Sequence, residues 1–232
     1  MATPTPTPST DGTTTTISKT EEGFTTPRLS FTPPCLSDAQ ALNRELRTQN
    51  EVMRWSRQKR PDKDLSETED WIRRVLSNTT GPVSSTEKDG FSGSGFRKGC
   101  SFSIRELSYL QTQTQISEED QNQEKNPPND RIIGVTGISQ EDSDITGKRQ
   151  SELGYMFVPG VWGQGYASEA VRGLMRWWFE VQEDTEEVYA VVAKGNAASL
   201  RVMEKCGFVA ISEGVDGTGE AIVEFCITRS AV

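Results

Sequence analysis

Residues 153–180, LGYMFVPGVWGQGYASEAVRGLMRWWFE, decide the fold of this chain. The first six residues are apolar on both faces of a period-two alternation, which predicts a strand covered on both sides. Pro159 and Gly160 end that strand, and Gly163 and Gly165 bracket a short turn. Apolar residues then recur at helical spacing up to Trp178, which predicts an amphipathic helix.

A strand, a glycine turn and a helix in this order form an anion-binding geometry. The first amides of a helix have no partner within it and carry partial positive charge. Glycines allow the backbone to approach a phosphate closely. The stretch therefore predicts a pyrophosphate cradle made of main-chain amides, although a plain tight turn is the alternative that this stretch leaves open.

The composition limits the chemistry that the protein can perform. The chain has 232 residues, a net charge of −9 and no histidine. The absence of histidine excludes a Ser-His-Asp triad, a Cys-His pair and HExxH metal sites. Proton transfer must therefore use carboxylates, tyrosine, lysine, water or the backbone. The acidic balance argues against nucleic-acid binding and is compatible with cationic amine substrates.

The cysteines and the hydropathy indicate the compartment. Cys35, Cys100, Cys206 and Cys226 are far apart and form no CxxC pair, which argues against a zinc site and against a dense disulfide framework. Reduced thiols predict a cytoplasmic protein, with the nucleus as an alternative. No apolar run is long enough to span a bilayer, and the N-terminus lacks the pattern of a signal peptide, so we expect no membrane partner.

The chain divides into a tail and one domain. Residues 1–26 are rich in Thr and Pro and are predicted to be disordered. Residues 27–232 are predicted to form a single α/β domain with a mixed sheet, interrupted by polar insertions near 79–99 and 111–130. Ser37 or Asp38 caps a first helix that runs to about residue 48, and a capping box of Ser66 and Glu69 opens a second over 66–76.

The remaining pattern predicts the order of strands and helices around the central stretch. Residues 153–158 and 187–192 are predicted to be parallel strands joined by the helix over 167–180 in a right-handed crossover. A helix over 197–206 follows, and residues 208–212 and 221–228 are predicted to close the sheet as an antiparallel pair. Earlier strands are predicted at 28–32, 101–107 and 131–138.

Two motifs resemble the GNAT N-acetyltransferases. The family's acetyl-CoA signature, Q/R-x-x-G-x-G/A, resembles residues 162–167, WGQGYA, with Trp162 where Gln or Arg is usual. A second family pattern, N-x-x-S followed by E-K-x-G-F, resembles Asn196 to Ser199 and Glu204 to Phe208. The Ser-Glu-Ala of residues 168–170 and the opening Pro27-Arg28-Leu29 are similar to the branch containing the ribosomal-protein alanine N-acetyltransferases.

The resemblance implies a fold, a co-substrate and a set of binding residues. The implied fold has a central strand pair that splays apart, with acetyl-CoA as co-substrate in the opening and no metal. Main-chain groups of Met156, Phe157 and Val158 would pair with the pantetheine arm, and Asn196 and Ser199 would lie beside it. The diphosphate would be held by the amides of the glycine turn and helix start: Gly163, Gln164, Gly165, Tyr166 and Ala167.

The implied reaction is direct attack of an amine on the thioester carbonyl. Glu152, which stands roughly where relatives carry a carboxylate, is the candidate base; the alternative is an ordinary strand-end glutamate. Many family members have a tyrosine as general acid just before the glutamate of E-K-x-G-F, and here that position is Met203. Ser199 or water would then protonate the thiolate, or the thiolate would leave unassisted.

The sequence thus predicts an acetyl-CoA-dependent N-acetyltransferase that acts on a primary amine, either a protein N-terminus or a small amine. The first alternative is a non-catalytic acyl-CoA-binding or sensor domain. A nucleotide-binding α/β protein is disfavoured because neither GxGxxG nor GKS/T occurs. The sequence leaves the oligomeric state open.

Overall fold

The computed structural model describes residues 23–78, 99–107, 131–147 and 149–232. The strands of these residues form one eight-stranded mixed sheet in the order β1-β2-β3-β4-β5-β6-β8-β7. Their bounds are β1 Phe24–Thr25, β2 Leu29–Thr32, β3 Gly99–Glu106, β4 Ile132–Asp142, β5 Arg149–Phe157, β6 Glu187–Ala193, β7 Val209–Val215 and β8 Ala221–Thr228.

The helices pack on the two faces of this sheet. Two short segments, α1 Ala39–Leu42 and α2 Asn50–Met53, precede the longer α3 Leu65–Asn78. The crossover helix α4 is Tyr166–Val181, and α5 is Ala197–Lys205. A mixed sheet with helices on both faces confirms the predicted α/β class.

The two central strands separate after one contact. β4 and β5 pair in antiparallel register from Asp142 opposite Arg149 to Gly134 opposite Phe157. β5 and β6 are parallel, as the crossover predicted, but in the described residues they pair only where Glu152 lies opposite Tyr189. Beyond this point β5 continues along β4 and β6 continues along β8, so an opening forms between them.

The alternation along β5 sends its side chains to opposite faces of the sheet. Leu153, Tyr155 and Phe157 lie on the face covered by α4 and α5, in a core with the fully buried Leu174 and Met203. The even-numbered residues, Glu152 among them, lie on the other face. The opening between β5 and β6 can therefore be reached from two chemically different sides.

The first helices differ from the sequence-based prediction. The segment that Ser37 or Asp38 was expected to open is irregular: a 3-10 turn, α1 and a π-helical turn over Asn43–Arg47 follow one another. The predicted capping box at the start of α3 is wrong in its residues. Asp64 accepts from the Glu67 amide, and the Glu67 carboxylate accepts from the Lys63 amide, because the helix begins at Leu65, two residues earlier than a cap at Ser66 predicts.

The predicted domain limits also need correction at two places. Phe24 and Thr25 were assigned to the tail, yet they pair with β2 as β1, and Phe24 is buried against Phe31 and Trp177. Gly99 was assigned to the first insertion, yet it begins β3 opposite Ser139. Residues 1–22 of the predicted tail, 79–98 of the first insertion and all of 111–130 lie outside the described residues.

Candidate active site

The glycine turn has the backbone conformation that an anion cradle requires. Gly163 and Gly165 have φ angles of 77° and 82°, in the left-handed region that favours glycine. Gly165 is the N-cap of α4, and its carbonyl accepts the first helical bond, from the Glu169 amide. The amides of Tyr166, Ala167 and Ser168 therefore come before the first intrahelical donor and point out of the helix start.

An arginine from the start of the domain lies against this turn. Arg28 donates from Nη1 to the Gln164 carbonyl at 3.2 Å and from Nε to the Glu169 carboxylate at 2.6 Å. Its guanidinium stacks 4.3 Å above the Tyr166 ring, and its Nη2 is 3.6 Å from where a Cβ on Gly165 would stand. The positive charge of Arg28 thus lies beside the turn, whereas the sequence predicted Arg28 only as part of a strand.

The carboxylate of Glu169 holds Arg28 in place. Burial acts to raise the pKa of Glu169, but bonds from Thr26 and from Arg28 outweigh it, so the pKa lies below its ordinary value. The carboxylate is therefore charged at neutral pH and paired with the guanidinium. The only sequence signal for this contact was the Pro27-Arg28-Leu29 opening, which is 141 residues from its partner.

The open edge of β5 offers fewer main-chain groups than expected. The Val158 amide donates to the Ile133 carbonyl of β4 at 2.9 Å, so by alternation the main chain of Met156 also faces β4. Only Phe157 of the three predicted residues turns its main-chain groups towards the opening. Its carbonyl accepts from the indole Nε1 of Trp162 at 2.8 Å.

Glu152 stands where the central strands begin to separate. Its side chain is 11% exposed, and Oε2 accepts from Nη2 of Arg57 at 2.8 Å. Burial raises the pKa of Glu152; Arg57 opposes this, whereas Glu141 and Asp144 reinforce it. The net rise moves the carboxylate towards the pKa range of a general base that works near neutral pH. No sequence signal linked Arg57 to Glu152.

The start of α5 forms the far wall of the opening. The Asn196 side chain caps this helix by accepting from the Ser199 amide at 3.1 Å. The Ser199 hydroxyl points towards the Tyr155 phenol and acts to lower its pKa, although burial dominates and raises that pKa to about 12. Met203, one turn further along, is fully buried in the core.

The structure thus brings most predicted site residues to one opening. Glu152 and Phe157 lie along its β5 side, Asn196 and Ser199 lie at the start of α5, and the glycine turn lies past the end of β5. Tyr166 and Gln164 use their side chains within the protein: the Tyr166 hydroxyl donates to Glu106, and the Gln164 amide donates to the Gly160 carbonyl. Their main-chain amides remain at the turn.

A separating strand pair, a left-handed glycine turn and a helix start give this α/β domain a geometry that can accommodate an extended, phosphate-bearing ligand. The family described as Acetyltransferase (GNAT) domain matches residues 28–209, which is more than half of the chain. The chain belongs to the GNAT family of acetyltransferases.

Individual relatives match more locally in sequence. The chain is 37% identical over 76 residues to the uncharacterized protein YkkB of Bacillus subtilis, covering 33% of this chain and 42% of that protein. It is 33% identical over 87 residues to the FsC-acetyl coenzyme A-N(2)-transacetylase of Aspergillus fumigatus, covering 34% and 37%. The chain thus spans about two fifths of the length of these curated relatives.

Solved structures share the fold over nearly the whole chain. Spermidine N-acetyltransferase from Vibrio cholerae, in complex with CoA and spermine, superposes with a TM-score of 0.59 and 16% identity. The superposition covers 89% of this chain and 98% of that one. At this identity the similarity establishes the mixed-sheet fold. None of the described helices is both long and apolar enough to cross a membrane.

Proposed function

We propose that the protein is an acetyl-CoA-dependent N-acetyltransferase that transfers the acetyl group directly to a primary amine within a ternary complex. The observation that carries this proposal is the single β5–β6 contact at Glu152 and Tyr189, followed by divergence towards the glycine turn. An extended thioester arm fits an opening of this kind, with its amides against a strand edge and its diphosphate at a helix start.

The cofactor contacts follow from the groups that face the opening. The amides of Gly163, Gln164, Gly165, Tyr166 and Ala167 hold the diphosphate, and Arg28 adds positive charge beside them. The open edge of β5 at Phe157 pairs with the pantetheine amides once the Trp162 indole releases the Phe157 carbonyl. The side chains of Met156 and Val158 flank this edge, and Asn196 and Ser199 lie opposite.

The chemistry needs positioning and one base. The neutral amine attacks the thioester carbonyl, the C–N bond forms, and the C–S bond breaks to release CoA thiolate. Glu152 accepts the proton that the amine nitrogen loses, directly or through water, and passes it to solvent. Since burial raises the pKa of Glu152 while Arg57 holds its carboxylate in place, the group suits this role near neutral pH.

The acceptor approaches from the face of the sheet that carries Glu152. Glu141 and Asp144 add negative charge near this carboxylate, and the chain has a net charge of −9. These charges favour a cationic amine before it loses its proton. A protein N-terminus, as in the alanine N-acetyltransferase branch, and a small polyamine of the kind in the Vibrio cholerae complex are the two acceptor classes that fit.

The four cysteines carry no disulfide, so we propose that the enzyme works in a reducing compartment, the cytoplasm or the nucleus.

The experiment that tests the function has two stages. The shift in melting temperature caused by CoA is compared with the shifts caused by ATP and by NAD, and this comparison identifies the class of ligand that the protein binds. Mass spectrometry of peptide and polyamine mixtures incubated with acetyl-CoA then measures transfer. A CoA-specific shift with acetylated product supports the proposal, and a shift without product would indicate a sensor domain.

A further inference from the structure

We propose that Tyr155 is the hydrogen-bond donor to the sulfur of CoA as the C–S bond breaks. This inference rests on the proposed acetyl transfer and names the residue that stabilises its leaving group, the CoA thiolate. Direct attack releases a thiolate, whose negative charge needs a donor inside a site from which water is excluded. The helix next to the opening supplies no such donor at Met203, which is a fully buried thioether.

The phenol of Tyr155 is buried and unused. Among the residues that the structure describes, its hydroxyl has no hydrogen-bond partner, although the atom is hidden from solvent. Leaving a buried hydroxyl unpaired costs free energy, so such a group in a functional domain indicates an absent partner. The Ser199 hydroxyl is near enough to influence it but does not satisfy it.

The position of Tyr155 on β5 fits a ligand in the opening. Tyr155 comes three residues after Glu152, where β5 and β6 have already separated. Because side chains alternate along a strand, Glu152 and Tyr155 project from opposite faces of the sheet. A thioester carbonyl held between the strands thus meets the base from the acceptor face and the phenol from the face covered by α4 and α5.

The protonation state of Tyr155 suits a donor rather than a base. Burial raises its pKa to about 12, so the phenol keeps its proton at neutral pH. A thiol of the cysteine type has a pKa of about 8.5, so the thiolate is the weaker base of the two. Tyr155 therefore stabilises the departing thiolate through a hydrogen bond and retains its proton, and the thiolate takes a proton from solvent after release.

The test measures the pKa of the thiol group of bound CoA, so it requires no acceptor amine. The ultraviolet absorbance of the thiolate is titrated in the complex with CoA, and the complex with desulfo-CoA is subtracted. We expect the thiol pKa in the wild-type complex to lie about 1 to 2 units below that of free CoA. In Tyr155→Phe this shift should disappear while CoA affinity stays within about twofold.

A second measurement ties the shift to turnover. With a saturating amine, Tyr155→Phe should lower kcat by about 10- to 100-fold with little change in KM. Tyr189→Phe is the matched control for the thiol pKa, because its hydroxyl bonds to Glu187 at the surface; it should keep the shift. The midpoint of thermal unfolding should not fall in Tyr155→Phe, since the substitution removes an unsatisfied group.

The possible failures are distinguishable. An unshifted thiol pKa in the wild-type complex, or the same shift in Tyr155→Phe, overturns the role of Tyr155 and leaves acetyl transfer standing. An unchanged kcat in Tyr155→Phe does the same. A wild-type protein that binds no CoA overturns the proposed function, and the role of Tyr155 with it. The comparison of wild-type complex with free CoA holds even if the variant does not fold.

Discussion

The Glu152 carboxylate accepts a 2.8 Å hydrogen bond from the Arg57 guanidinium, across 95 residues of sequence. The carboxylate is nearly buried, whereas the arginine side chain is 56% exposed and also lies 3.9 Å from Glu141. The pair thus joins the loop after α2 to the point where β5 and β6 separate. It orients the candidate base and opposes the rise in pKa that burial causes.

Replacement of Glu152 by Gln should remove the base but keep the shape of the site. We expect kcat to fall by about 100-fold or more, with CoA affinity unchanged. In the wild type the rate should fall as pH decreases through the raised pKa of Glu152, because only the carboxylate accepts a proton. This decrease in rate at low pH is the acid limb of the pH profile, and it is measured from the pH dependence of kcat/KM. Because the free amine also titrates, the profile is corrected for the neutral fraction of the amine; an acid limb that then persists in Glu152→Gln would contradict the assignment.

Replacement of Arg57 by Ala should move the acid limb rather than abolish it. Arg57 lowers the pKa of Glu152 through its charge and its hydrogen bond, so its loss raises that pKa further. The acid limb should therefore shift to higher pH, and the loss of rate should be larger at acid than at alkaline pH. Arg73→Ala removes an arginine of similar exposure on α3 and should leave the profile in place.

Gly165→Asp tests the diphosphate cradle. The new side chain would stand at a φ of 82°, and its carboxylate would lie beside Arg28, where it competes with the diphosphate for positive charge. We expect CoA affinity to fall by at least about tenfold, measured by calorimetric titration. The left-handed conformation adds strain of roughly 1–2 kcal/mol in stability.

Gly219→Asp separates the strain from the charge. Gly219 has a φ of 86° in the turn between β7 and β8, and a Cβ there meets nothing within 4 Å. The two variants should therefore lose similar stability in thermal unfolding, but Gly219→Asp should bind CoA normally. Equal CoA affinity in the two variants would show that the glycine turn does not hold the ligand.

The sequence predicted the centre of the fold because local signals coincide there. Period-two alternation, a Pro-Gly stop, paired glycines and helical spacing follow each other within residues 153–180, and each has a local physical cause. The structure confirms the parallel crossover and the closing antiparallel pair. The capping box at Ser66 failed because Asp64 offered an equivalent cap two residues earlier.

Long-range partners escaped prediction because no local pattern encodes them. Arg57 and Glu152 look like ordinary surface charges until β5 and the loop after α2 come together. The same holds for the direction of the main chain along β5: register against β4, not sequence spacing, turns Val158 towards Ile133 and leaves Phe157 at the open edge. Which main-chain groups face the open edge of a strand therefore depends only on how that strand pairs with its neighbour.

The first helices are anchored by a buried ion pair that should dominate their stability. Arg47 donates to both oxygens of Asp62, at 2.6 and 2.9 Å, and both side chains are almost fully buried. Gln58 and Thr68 complete the bonds to Asp62. Burial acts to raise the pKa of Asp62, but these partners outweigh it and lower the pKa. The resulting stability is present above the ordinary carboxyl pKa and is lost as pH falls through the lowered value.

Arg47→Met should therefore destabilise the protein by roughly 3–5 kcal/mol, because it leaves the Asp62 carboxylate buried without its countercharge. Chemical denaturation at neutral pH measures this loss. Arg44→Met, which removes a mostly exposed arginine beside Glu45, should change stability by less than about 0.5 kcal/mol. A loss in Arg47→Met no larger than in this control would show that the pair is not a net stabiliser.

The reactivity of the cysteine thiols tests whether an acyl-cysteine takes part in acetyl transfer. Cys206 lies near Tyr155, but its thiol donates to the Ser168 carbonyl, and burial raises its pKa, so it is a poor nucleophile. Burial also raises the pKa of Cys100 to about 12, whereas Cys35 is exposed. Brief iodoacetamide treatment at neutral pH, read by mass spectrometry, should label Cys35 first and reach the others only in denaturant. Rapid labelling of Cys206, or an acetylated Cys206 trapped after mixing with acetyl-CoA, would contradict direct transfer to the amine.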